Sequence, residues 1–434
     1  MRVQVRVSLF IVLLVGAISI NAQKSAVNEK SVGAPETNSA SIARFEELRA
    51  AGFDALYNLD YETARKNFNE LARLFPDHPA GPQFLAATLW TQTLNESRRL
   101  QSTLYNTDSF YAQKEDKPDP HLVEEFRGLT RTAIQLARAR LKRNPKDVEA
   151  LYFLGATEGL KAAFAVAVQR SFMSSLSDGS SSVDHHREVI KLDPDFHDAE
   201  LTIGLYDYVV GSLPAPVKLL ASIVGTHGSK KRGLLTLQRV ANEGRWARDD
   251  ARALLIVLLK RERRFDEALA ISRELGAKYP RNYLFKLETA DALVSIAATQ
   301  RQAGQMIESA KAEREALAIY DSLLHDRATR DTASRSLDLI HFRYGEALLE
   351  ANQTESAAQE FLAAATTTGA EPGLATMAHL NAARAFDLAG KRNDALAQYR
   401  IVLTRPDVLD AHDEAKQGLR EPYKMKNNGK SVSE

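Results

Sequence analysis

The chain has 434 residues, with 57 Lys and Arg against 56 Asp and Glu, 44% hydrophobic residues, 22 Gly, 14 Pro and no cysteine. That hydrophobic fraction excludes global disorder, and a formal charge of +1 argues against a general nucleic-acid binder, which needs a basic excess. The missing cysteines exclude disulfides, thiolate metal sites, cysteine nucleophiles and a lipidated N-terminal cysteine, while the low Gly and Pro counts point to few turns and long helices.

At the N-terminus, Arg2 and Arg6 precede the apolar run Val7 to Ile18, broken only by Ser8 and Gly16, and Ile20-Asn21-Ala22 offers a small residue for cleavage. This pattern predicts a secretory signal peptide over 1–22, cut near Ala22. The apolar run is shorter than the ~20 residues that a transmembrane helix needs; the competing reading is an uncleaved anchor. The most apolar later stretch, Leu201 to Gly225, is interrupted by Asp207, Pro214, Pro216 and Lys218. Loss of Arg2 and Arg6 leaves 55 basic against 56 acidic residues, a mature charge of −1. The expected location is the periplasm or cell envelope. Residues 23–41 are polar, lack periodicity and read as a flexible tether.

From there the chain repeats itself. Ala64 and Pro76 are 12 residues apart, as are Ala133 and Pro145, Ala268 and Pro280, and, with a small residue in place of Ala, Ser182 and Pro194. Upstream, Gly52 precedes Ala64 by 12, Gly345 precedes Ala357 by 12, and Ala383 precedes Ala395 by 12. An aromatic sits four residues after the alanine at Phe68, Phe361 and Tyr399. Small residues at these points let two antiparallel helices cross closely, the aromatic fills the gap toward the next pair, and proline stops the second helix. Short turns such as Leu59-Asp60-Tyr61 and Gly390-Lys391-Arg392-Asn393 join the two helices of a pair.

This pattern is that of the tetratricopeptide repeat (TPR), whose period is about 34 residues. Helix pairs are expected near 42–75, 80–143, 148–192, 198–243, 247–278 and 283–324, with two repeats in 336–404. The predicted fold is all-α, a right-handed helical-repeat solenoid of TPR-like antiparallel helix pairs. N-terminal repeats fill 42–195, an irregular helical corner 196–262, C-terminal repeats 263–410, and a polar tail 411–434. Two insertions break the period: an aromatic and polar one at 104–120, read as a long loop, and a serine-rich one at 171–182, which extends a helix hairpin.

Within 199–259 the order changes: a helix, a Leu213-Pro214-Ala215-Pro216 break, a short apolar helix Val217–Val224, a Gly225-Thr226-His227-Gly228 loop, and a helix N-capped by Ser229. Gly204, Leu213, Pro214, Leu219, Leu220, Gly225, Gly228, Gly233 and Leu234 in this order resemble the tetratricopeptide-repeat-thirty-nine and inclusion-body-clearance family. Exported bacterial TPR proteins look closer still. The resemblance implies a helical fold and a non-enzymatic adaptor; the family's cytosolic role does not transfer to a chain with an export signal.

The remaining chemistry candidates are modest. Asp184-His185-His186-Arg187-Glu188 with His197 resembles a metal cluster, but adjacent histidines on a helix point about 100° apart, so these read as solvent-exposed helix residues. The loop bearing His227, Ser229, Lys230 and Lys231 opens a helix and is a candidate anion or acidic-peptide contact, against the plainer reading of a helix–loop–helix corner. It lacks the P-loop spacing. Lys260 to Arg264 is a basic cluster at a helix end, where cations complement the dipole. No Gly-x-Ser-x-Gly elbow or carboxylate pair stands out, so neither an enzyme nor a cofactor is expected.

Two function classes remain. One is a scaffold whose first helices line a groove for peptide or protein partners, with Phe53, Tyr57, Val257, Arg261, Phe342, Glu346, Leu380 and Arg384 at the groove positions of the period. The other is an envelope protein binding a lipid or small molecule through the apolar 213–225 segment, by a pocket or by membrane contact.

Overall fold

The computed structural model describes residues 36–98, 100, 119–168, 172–213, 227–326 and 333–425, with side chains described at all of these but 36–38, 166 and 172–177. The predicted signal segment, the apolar helix at 217–224 and most of the 104–120 insertion lie outside the described residues.

Among the described residues all regular structure is helical, with seventeen α-helices. α1 (Glu36–Tyr57) pairs with α2 (Tyr61–Leu74); α3 (Ala80–Glu96) and α4 (Pro120–Arg143) follow, then the hairpin α5 (Val148–Ala167) and α6 (Phe172–Leu192). α7 (Glu200–Gly211) pairs with α8 (Lys230–Glu243), and α9 (Arg248–Arg261) with α10 (Phe265–Lys278). These ten helices form one compact unit, apart from the last residue of α3. A second unit holds residues 96–98 with α11 (Tyr283–Gln302), α12 (Met306–His325), α13 (Leu337–Glu350), α14 (Thr354–Thr366), α15 (Pro372–Leu388), α16 (Arg392–Val402) and α17 (Ala411–Arg420). The protein is thus an all-α stack of consecutive helix pairs.

Local chemistry sets the helix ends. Asp60, Asp119, Asp147 and Glu371 each cap a helix by accepting a backbone N–H, from Thr63, His121, Ala150 and Leu374. In five pairs the first helix ends on a left-handed residue two positions beyond its last turn: Leu59 (φ 61°), Arg263 (φ 59°), Gly304 (φ 77°), Asn352 (φ 58°) and Gly390 (φ 74°). At each, the next residue's N–H bonds back five residues, as from Asp60 to Ala55 and from Lys391 to Phe386, both at 2.8 Å. The second helix then stops at Phe75, Asn144 or Tyr279, each directly before a proline. The repeated small–large fit is steric: a Cβ on Gly52 would lie 2.2 Å from the Phe68 ring.

Four expectations change. α1 begins at Glu36, inside the 23–41 span read as a tether. Residues 411–420 of the supposed polar tail form α17, whose buried face is made of the small residues Ala411, Ala415 and Gly418. The break between units falls at Asn282, inside the span assigned to the C-terminal repeats, because α9 and α10 join the first unit. Finally, His186 is 2% exposed rather than solvated: Gly155 leaves room for its ring, which stacks on Tyr152 at 5.1 Å. The serine-rich 171–182 stretch lies in α6 from Phe172 onward and lengthens the α5–α6 hairpin as its sequence predicted.

Candidate interaction surface

The groove positions of the two units have different surroundings. In the first unit, Phe53 is 4%, Tyr57 8% and Val257 9% exposed. Phe53 packs against Phe68 and Phe84 with ring centroids 5.0 and 4.8 Å away. Phe84 leads on to Phe153 (5.9 Å), and Phe153 to Trp246 (6.3 Å), so aromatic rings fill this interior. Tyr57 stacks on Tyr279 at 4.8 Å and donates its hydroxyl to Asp250, 193 residues further along the chain. Tyr279 donates to Asp249 at 2.6 Å, and Asn282 Nδ2 donates to the Tyr57 carbonyl at 2.7 Å. Burial, reinforced by the Asp250 and Asp249 carboxylates, pushes the Tyr57 hydroxyl far above its ordinary range, so it remains a donor. These contacts tie α1 to α9 and α10. Asp198 adds a second tie, accepting the Trp246 and Ala247 N–H groups at 2.6 and 2.7 Å. Of the groove residues predicted in this unit, only Arg261, at the end of α9, is exposed.

In the second unit Phe342 and Leu380 are buried, and the charged residues four positions on are half-buried. The side chains of Glu346 and Arg384 are 39% and 22% exposed. Both are held in ion pairs. Asp291 accepts from Tyr320 at 2.5 Å and pairs with Arg343 at 2.7 Å; Arg343 also pairs with Glu346, and Arg384 with Glu414 of α17. Burial works against the Arg343 charge, but Asp291 and Glu346 outweigh it and hold the guanidinium protonated. Sequence alone gave no sign of Asp291, Tyr320 or Arg343, because the Asp291 contacts join three different helices.

The 227–231 loop forms a tight corner. Lys230 pairs with Glu262 at 2.8 Å, and Glu262 also accepts from Tyr208 at 2.7 Å. Ser229 caps α8 through the Arg232 N–H. His227 and Lys231 are exposed. Gly233 permits the close α7–α8 crossing, since a Cβ there would lie 2.5 Å from the Gly204 carbonyl oxygen. Lys230 is therefore engaged by Glu262, whose carboxyl is held below its ordinary range as the Lys230 and Tyr208 hydrogen bonds outweigh burial.

Among the described residues no group of three or more His, Asp or Glu is placed to hold a metal, and no helix is long and apolar enough to cross a membrane. No protein-family model and no curated protein matches the chain. Solved structures similar to it include a human IFIT1 dimer with m7Gppp-AAAA, at 14% identity over 85% of this chain and 80% of that one, TM-score 0.43. A thermophilic TPR protein of Thermus thermophilus is similar at 16% identity over 59% and 98%, TM-score 0.32, and yeast Tom70 at 10% identity over 89% and 96%, TM-score 0.35.

Proposed function

We propose that the chain is a non-catalytic scaffold of the cell envelope that holds peptide or protein partners on the groove positions of its C-terminal unit. The observation that carries this reading is the pairing of layers in consecutive repeats. Phe342 and Leu380 form a buried floor, while Glu346 and Arg384, at the same offset, present opposite charges above it. A surface of alternating charge on rigid helices selects a partner by charge complementarity. The strongly shifted groups support a structural rather than a catalytic use, since Tyr57 and Tyr320 are each committed to a buried carboxylate. Export rests on the N-terminal pattern of Arg2, Arg6 and the run Val7 to Ile18.

Affinity capture with the full chain from its native host, read by mass spectrometry, tests the binding role. Charge reversal at Arg384 should remove a defined subset of partners, and reversal at Arg261 tests the one exposed groove position of the N-terminal unit. Recovery of no protein together with a co-purifying lipid sinks the scaffold reading. A fusion of residues 1–41 to a reporter active only outside the cytoplasm should give signal; a dark fusion refutes export.

A further inference from the structure

The end of the described chain folds back onto one of these groove positions. Arg392 donates to the Gly418 and Leu419 carbonyls at 2.6 and 3.2 Å and so closes α17. The α17 face of Ala411, Ala415 and Gly418 is buried. Glu421 then leaves the helix in an extended conformation (φ −140°, ψ 145°). Tyr423 donates its backbone N–H to Asp387 Oδ2 at 2.8 Å, and its ring lies 5.1 Å from the Arg384 guanidinium. The Asp387 carboxylate is fully buried, between Arg392 and Tyr399. Glu421, Pro422, Lys424 and Met425 are exposed, so Tyr423 is the half-buried anchor of this segment.

We propose that residues 421–425 are a resident ligand of the last repeat, covering a docking place for an extended partner segment that carries an aromatic side chain. This rests on the scaffold reading and names the chemistry of its partner. Both contacts are transferable. A carboxylate that accepts a backbone N–H reads any extended chain, and a guanidinium over a ring reads an aromatic residue. The tether holds the tail at an effective concentration of about millimolar, so a partner displaces it only by adding contacts along the neighbouring repeats. Arg384 therefore has two roles, pairing with Glu414 and covering the incoming ring.

The test uses a fluorescent peptide of residues 419–427 and three proteins: the mature chain, its Tyr423→Ala variant, and the chain ending at Arg420. Circular dichroism and thermal melting confirm that each is folded. Fluorescence anisotropy should show the variant and the shortened chain binding the peptide at least about tenfold more tightly than the mature chain. Adding Arg384→Ala, or replacing the peptide's tyrosine by alanine, should abolish that binding. Equal affinity for all three folded proteins, or no saturable binding to any, overturns the proposal. If the peptide fails while Arg384 charge reversal still loses partners in the capture experiment, only the tail proposal falls. If neither changes, the groove reading falls with it.

Discussion

Phe53 and Tyr57 in the first unit stand one and five residues after the crossing Gly52, as Glu346 and Glu350 do after Gly345 in the second, yet the first two are core, Glu346 is half-buried and Glu350 is exposed. The cause is what else reaches each position. In the first unit, Asp249, Asp250, Tyr279 and Asn282 come back to α1 from more than 190 residues away and bury Tyr57. In the second unit the contacts of Glu346 and Arg384 stay within a helix or come from nearby repeats, from Arg343 and from Glu414. A repeat therefore supplies a position, and the path of the chain decides whether it is a groove or a core.

Substitutions at equivalent positions separate these roles. Phe53→Ala should cost about 3–5 kcal/mol, because it opens a cavity among Phe68 and Phe84; a chemical denaturation midpoint equal to the native one would show that this interior is not packed. Next comes acid sensitivity. Burial holds His186 down to about 4, below an ordinary value of about 6.5. As pH falls below about 6.5 the unfolded chain takes up a proton that the folded chain refuses. This contribution is therefore complete above about 6.5 and is lost as pH drops toward 4, by about 3 kcal/mol. Denaturation at pH 7 and 4.5 should show a smaller acid loss in His186→Phe than in the native chain, and equal losses contradict the assignment.

Tyr57→Phe removes a donor from buried Asp250 and should cost about 1–3 kcal/mol. Hydrogen exchange should show the loss concentrated in α1, α9 and α10, and unchanged protection there would break the idea that this bond closes the unit. The smallest effect is expected at Arg384→Ala, within about 1 kcal/mol, since its pair with Glu414 is partly solvated. A stability loss as large as that of Phe53→Ala would reclassify Arg384 as core and remove the difference between the units.

The helix pairs were legible in the sequence because their signals are local. Gly and Ala at crossings, proline after Phe75, Asn144 and Tyr279, turns such as Leu59-Asp60-Tyr61 and the Ser229 cap act within one or two turns. α17 escaped detection because its buried face of Ala411, Ala415 and Gly418 carries no large apolar side chain, although Gly418 fits closely under Tyr399. His186 was misplaced because its pocket is made by Gly155 on another helix, which periodicity in α6 does not reveal.

What the sequence determined by itself was therefore the fold class and the order of the helix pairs, since caps, turns and small–large spacing are short-range constraints on backbone and packing. The tertiary structure alone decided which repeat positions face water. That choice depends on contacts such as Tyr57 with Asp250 and Arg384 with Tyr423, made between residues whose separation along the chain carries no period.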